Sequence, residues 1–249
     1  MSESKSVTAL NEVVTVEVLG VPIHCFDSIE TMLSTILCEA GVVQPGFAIA
    51  INPEKIIKSN ESIEVKNILL SGTIRYADGI GVVKALQKKT RKKLDRIPGV
   101  ELWESLLSNT APYRTRVYIL GAEKHVSELV CTKLKSRGVN VVGSHSGYFS
   151  DEDALINEIK NSKAKIITVA LGSPRQEIFI QKCREQYPDA FYMGVGGTYD
   201  VYVGNVKRAP KAWRKANLEW LYRVLSQPSR WKRQVPLLKF LMRYLFNRL

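Results

Sequence analysis

The stretch IITVALGSPRQEIFIQKCREQYPDAFYMGVGGT, residues 166–198, decides the fold. Ile166 to Leu171 is a short apolar run of strand length, and it stops at Gly172-Ser173-Pro174. Ile178 to Tyr187 reads as a helix, and Ala190 to Val195 as a second strand closed by Gly196-Gly197-Thr198. The same alternation extends backwards. Val117 to Gly121 is a strand, Glu123 to Arg137 a helix with Val126, Leu129, Val130 and Leu134 on one face, Val139 to Val142 a strand, and Asp151 to Asn161 a helix. In the N-terminal half, residues 13–19 and Phe47 to Ile51 read as strands, the latter ending at Asn52-Pro53. Helix-favouring residues follow to about Leu70. Next come a strand at Ile74 to Ala77, a turn at Asp78-Gly79, and an apolar-periodic helix through Val83 and Leu86. That helix runs into the basic cluster Lys88, Lys89, Arg91, Lys92 and Lys93, and a further helix spans Val100 to about Leu107.

Strands alternating with helices predict an α/β fold: a mostly parallel sheet with helices on both faces. Such sheets bind ligands beyond the carboxyl ends of their strands. Asn52, the Tyr76–Gly79 turn, Gly121, Gly172-Ser173 and Gly196-Gly197-Thr198 therefore converge on one edge, as a phosphate-bearing ligand requires. Tight strand–helix turns need glycine in any case, so no single one of these positions identifies a site. Neither a GxGxxG fingerprint nor a GxxxxGK[ST] loop is present, which lowers dehydrogenase and NTPase readings. Asp151-Glu152-Asp153 spells DxD, a metal–diphosphate pattern, but it opens a helix, where acids stabilise the dipole, and that is the better explanation.

At 249 residues the chain suits one sizeable core plus an appendage. Its charge is divided unevenly. Of the +12 net charge, +11 falls in residues 205–249, which hold twelve Lys/Arg and one acid, Glu219. A nearly neutral body over 1–204 and a cationic tail over 205–249 point to an anionic partner at one end. The four cysteines lack metal spacing and read as reduced thiols. The three histidines supply no HxxxH-type site, so no metal or cofactor is expected. Residues 1–12 lack a signal-peptide core, and no window is apolar for long enough to span a bilayer. A cytoplasmic location is the expectation.

In the tail, Pro210 can open a helix that runs to about Ser226. Pro228 stops it, Ser229 can cap a second, and Pro236 would kink that one. Lys232, Lys239 and Arg243 fall near one line of the second helix, beside Trp231, Val235, Leu238, Leu241, Met242 and Leu245. Three readings compete: a packed helix with a solvated basic face, a nucleic-acid surface, and adsorption to a membrane. The dense large apolar side chains among the charges favour the membrane, and nucleic acid is not an expected partner.

Seven ordered blocks carry a resemblance over about residues 15–235. They are Ala50–Lys55 (AINPEK), Tyr76–Ile80 (YADGI), Arg96–Trp103 (RIPGVELW), Leu171–Glu177 (LGSPRQE), Met193–Asp200 (MGVGGTYD), Lys207–Pro210 (KRAP) and Leu218–Arg223 (LEWLYR), followed by QPSR at 227–230. The chain resembles the WecG/TagA/CpsF glycosyltransferases, and its Met193–Asp200 and Leu218–Arg233 stretches are most similar to the enterobacterial branch. The resemblance implies a Rossmann-like sheet and inverting, metal-independent transfer at the inner face of the cytoplasmic membrane. The donor would be UDP-N-acetylmannosaminuronic acid. The acceptor would be N-acetylglucosamine on undecaprenyl diphosphate, in enterobacterial common antigen biosynthesis. N-acetylmannosamine transfer in another surface-polymer pathway is the alternative within the family, and a homo-oligomer stays open.

By that resemblance Asp78 is the candidate base, although an Asp before Gly also forms turns. Asn52, Gly172, Ser173, Gln176, Gly197 and Thr198 are the candidate substrate-binding residues. Arg96 from the body and Arg223, Arg230 and Arg233 from the appendage suit the diphosphate, since guanidinium forks match phosphate oxygens. A donor carboxylate calls for one more cation, either Arg175 or Lys207. Two departures stand out. Some relatives carry threonine where this chain has Ala50, and many have glycine at Asn217, although Asn tolerates left-handed backbone angles.

Overall fold

The structure, a computed structural model, describes residues 10–38, 41–226 and 234–249. The strand expected over 13–19 is the first arm of a hairpin. β1 (Thr15–Val18) pairs antiparallel with β2 (Val21–His24), Val18 opposite Val21. The chain reverses at Leu19-Gly20 with φ of 51° and 76°, the positive angles that a two-residue hairpin turn demands. Leucine rarely adopts such an angle, so the sequence conceals this turn.

β3 (Gly46–Ile51), β4 (Ile74–Ala77), β5 (Val117–Gly121), β6 (Val141–His145), β7 (Ile166–Ala170) and β8 (Phe191–Gly194) complete the sheet. Among the described residues its order is β1-β2-β4-β3-β8-β7-β5-β6, and every pairing except β1–β2 is parallel. The chain leaves β3 to one side for β4. It later returns from the far edge through β7 to place β8 against the other side of β3. Crevices form at such reversals, beyond the carboxyl ends of the strands.

Alternation along each strand divides the core in two. Phe47, Ile49 and Ile51 face one side of β3, and Ala48 faces the other. The first side packs α2 (Pro53–Glu61), α3 (Ile63–Leu70), α4 (Ile80–Thr90), α7 (Glu152–Asn161) and α8 (Arg175–Gln186). The second packs α1 (Ile29–Ile36), α5 (Gly99–Thr110), α6 (Lys124–Lys135) and α9 (Thr198–Val203). The helix-favouring run to Leu70 forms two helices, because Ser62 ends α2 and its hydroxyl caps α3. Asp151 caps α7 by accepting from the Ala154 amide at 2.9 Å, so the DxD triplet does helix-terminus work here. Cys131 and Cys183 are buried thiols and Cys25 and Cys38 half-buried ones.

The tail helix expected from Lys211 to Ser226 is broken into α10 (Lys211–Lys215) and α11 (Glu219–Ser226). Asn217, at φ 59°, makes the break, using the left-handed tolerance of asparagine. α12 (Gln234–Leu245) lies against α2 and α4. Phe240 is buried there, Lys239 pairs with Glu61, and Lys88 stands 5.0 Å above the Tyr244 ring. Pro236 falls in the first described turn, where a missing N–H costs little. Among the described residues no helix is long and apolar enough to cross a membrane.

Candidate active site

The reactive edge begins where β3 and β4 end side by side. The Asp78 amide donates to the Ile51 carbonyl at 3.0 Å, which ties the Asp78-Gly79 turn to the Asn52-Pro53 turn. Gly79 lets the two turns touch: a Cβ there would lie 2.7 Å from Pro53 Cδ and 3.2 Å from Asn52 Cα. Asn52 Oδ1 accepts from the Lys55 amide at 2.9 Å and so caps α2. Asp78 Oδ1 accepts from the Gly99 amide at 3.3 Å, at the first turn of α5. A helix N-terminus favours the ionised carboxylate that a base must be before it takes a proton.

Asn52, Asp78, Gly172, Ser173, Gln176, Gly197 and Thr198 line one cavity of about 660 Å³ beyond β3, β4, β7 and β8. Ala50 lines it too, so this part of the wall is apolar. Tyr76 reaches its floor fully buried, and burial, then the nearby Asp78 charge, pushes its hydroxyl well above the ordinary tyrosine range.

Gln176 is held at both ends of its amide. Its Oε1 accepts from the Gly196 N–H at 2.9 Å, and its Nε2 donates to Glu177 Oε1 at 3.0 Å. Gly194 makes room, because a Cβ there would stand 2.6 Å from that Nε2. Gln176 thus fastens the glycine loop after β8 to the start of α8. Glu177 also binds Lys55 Nζ at 2.9 Å. Burial opposes ionisation of Glu177, but the Lys55 charge and these hydrogen bonds outweigh it and hold its carboxyl below the ordinary value. The Thr198 hydroxyl donates to the Val195 carbonyl at 2.7 Å, and Gly197 beside it has nothing among the described residues within 4 Å of where a Cβ would be. Trp103 packs edge-on to Tyr202 at 4.9 Å, anchoring α9 and with it this loop.

Residues beyond Asn205 close one side. Lys207 and Arg208 line the cavity, as does Glu219 at the start of α11. Arg96 reaches it only through Glu219, with its Nη2 2.8 Å from Glu219 Oε2. Arg208 contacts Glu219 Oε1 through Nε at 3.4 Å and Glu101 Oε1 through Nη2 at 2.6 Å. Among the described residues the cavity wall is balanced, Lys55, Lys58, Lys207 and Arg208 against Glu54, Asp78, Asp200 and Glu219. Arg230 and Arg233 lie outside the described residues, and only the backbone of Arg223, on α11, is described.

A shallower cleft of about 400 Å³ lies beyond β5 and β7, with Asp200 on the boundary with the first. Arg175 belongs to this second cleft, 5.0 Å over the Phe149 ring, whereas Lys207 belongs to the main cavity. The two cations weighed for a donor carboxylate are therefore in different clefts.

A model of the WecG/TagA/CpsF glycosyltransferase family matches residues 16–249. The chain belongs to that family. As a WecG/TagA/CpsF glycosyltransferase it works with a sugar-nucleotide donor and a lipid-linked acceptor in general terms. Two members of its cavity, Lys55 and Glu219, escape motif reading, as does Glu177, buried behind Lys55. All three sit inside quoted blocks, but only the fold brings Lys55 on α2 and Glu177 on α8 together. Glu219 did leave a signal, as the lone acid among twelve bases.

Proposed function

We propose that this glycosyltransferase transfers N-acetyl-D-mannosaminuronic acid from its UDP donor to undecaprenyl-diphosphate-linked N-acetylglucosamine, with inversion at the anomeric carbon. The reading makes it an enzyme of enterobacterial common antigen biosynthesis. The observation that carries the chemistry is the half-buried Asp78 carboxylate on the main cavity, beside Asn52 and opposite the Gly196–Thr198 loop. In the proposed step Asp78 takes the proton from the attacking acceptor hydroxyl. That oxygen bonds to the anomeric carbon as the bond from the anomeric carbon to the diphosphate oxygen breaks, and UDP leaves with the electron pair. The backbone of Gly197 lets the donor approach closely, Ser173 meets it from the turn before α8 and Gln176 from α8 itself, and Arg96, Arg223, Arg230 and Arg233 stabilise the departing charge. Lys207, which lines the same cavity, is the better candidate than Arg175 to face the sugar's carboxylate.

Residues 1–204 form the proposed catalytic core, and residues 205–249 an appendage that rests on the inner face of the cytoplasmic membrane. Its support is the surface of α12, where Val235, Leu238, Leu241, Met242 and Leu245 are exposed around a helix whose buried contact is Phe240. Exposed apolar side chains interleaved with Lys239 and Arg243 suit an anionic headgroup layer. The test is turnover with a lipid-linked N-acetylglucosamine acceptor and a panel of UDP-sugars in EDTA. UDP release restricted to the mannosaminuronic donor supports the reading. Release with UDP-N-acetylmannosamine instead reassigns the donor, and a need for added metal rejects the mechanism.

A further inference from the structure

We infer that Glu219 is an internal stand-in for the donor's diphosphate, and that Arg208 joins Arg96 in the guanidinium fork that Glu219 holds for that ligand. This rests on the sugar-nucleotide reading above and adds to it a residue and an exchange. Glu219 is the only acid of residues 205–249, yet it is 4% exposed and on the wall of the main cavity. One oxygen meets Arg96 of the body at 2.8 Å, and the other meets Arg208 at 3.4 Å. Two oxygens of one anion engaging two separate guanidinium groups is the arrangement that a phosphate would adopt.

Arg208 does not depend on Glu219 for its place. Its Nη2 is fixed 2.6 Å from Glu101, on the α5 wall, so the guanidinium remains there if Glu219 withdraws. Among the described residues the wall is balanced in charge, so a diphosphate there gains by meeting cations that the protein's own anions now hold. Exchanging Glu219 for phosphate oxygens turns Arg96 and Arg208 to the ligand, with Arg208 still steadied by Glu101. Glu219 is also the first residue of α11, so the exchange reaches the helix that carries Arg223. Diphosphate binding and the position of α11 are thereby coupled.

The test uses the full chain and calorimetric titration with UDP, with uridine as the phosphate-free probe. Removing a competing charge of this kind is worth about a factor of ten. Glu219→Gln should tighten UDP about tenfold, Arg208→Gln should weaken it about tenfold, and both should leave uridine binding unchanged. Should Glu219→Gln misfold, hydrogen exchange on the wild-type chain tests the same exchange. UDP should then accelerate exchange over Glu219–Ser226, and uridine should not. Weaker UDP binding in Glu219→Gln, unchanged UDP binding in Arg208→Gln, or no response of Glu219–Ser226 overturns the proposal while the donor reading stands. UDP bound by the wild-type chain no better than uridine overturns both.

Discussion

Gly79→Ala tests whether the active-site geometry depends on contact between two turns. The φ of Gly79 is −89°, an angle alanine adopts readily, so any effect comes from space and not from backbone strain. The new Cβ would lie 2.7 Å from Pro53 Cδ and 3.2 Å from both Asn52 Cα and Cβ. Ordinary carbon contacts are about 3.5–4.0 Å, so the turns must part by roughly 1 Å. The proline ring cannot rotate aside, and Asn52 Cα is backbone, so the displacement reaches Asp78 and Asn52 together. Overpacking of this kind costs about 1–3 kcal/mol, and a chain of this size loses about 2–4 °C of Tm per kcal/mol. A Tm lowered by about 3–10 °C is expected. A misplacement of about 1 Å at a reacting group costs on the order of 100-fold in rate. Thermal melts and initial rates of UDP release give both numbers. A variant with Tm within 1 °C of wild type and kcat within twofold would refute the dependence of the site on this contact.

Three further outcomes are expected. Gly197→Ala, at φ −79° with nothing among the described residues within 4 Å of its Cβ, should leave Tm unchanged and raise the donor KM, since the added methyl faces the cavity that a ligand would fill. Steady-state kinetics beside a thermal melt separate the two. Because its carboxyl titrates below 4.5 when folded, Glu177 contributes stability that is full above that value and lost as pH falls through the depressed one. The gap in urea midpoint between wild type and Glu177→Gln should therefore be widest at neutral pH and narrow as the pH is lowered through and below the ordinary carboxylate range; a gap that does not change with pH counts against the Lys55 pairing. Leu238→Glu with Leu245→Glu, both on the exposed face of α12, should abolish sedimentation with anionic liposomes while leaving the fold intact, as circular dichroism would report.

What was legible in the sequence follows a physical divide. Ile74–Ala77 and Val117–Gly121 are found where their residues predict them, because short apolar runs bounded by turn residues have few other uses. The Asn217 break is likewise visible, as Asn supplies locally the angle it needs. Hidden features are those in which a residue acts against its type or through a distant partner. Leu19 turns a hairpin at positive φ, and α9 follows so closely on Gly196-Gly197 that it has little periodicity of its own. The cavity shows the same split. Asp78 and Asn52 stand next to turn signals, whereas the Lys55–Glu177 pair joins residues 122 positions apart. Gln176 is legible as a residue near the ligand. That its amide is clamped between Gly196 and Glu177 is a property of the packed loop.

The central claim is that Asp78 is the base, and the most direct measurement is the kcat of Asp78→Asn beside its affinity for UDP. Asparagine keeps the shape and still accepts the Gly99 amide but cannot take a proton, so kcat should fall by about 10²–10⁴ while UDP binding stays near wild type. Turnover close to wild type, with UDP binding intact, would contradict the claim and leave Asp78 as the residue that shapes the β4–α4 turn.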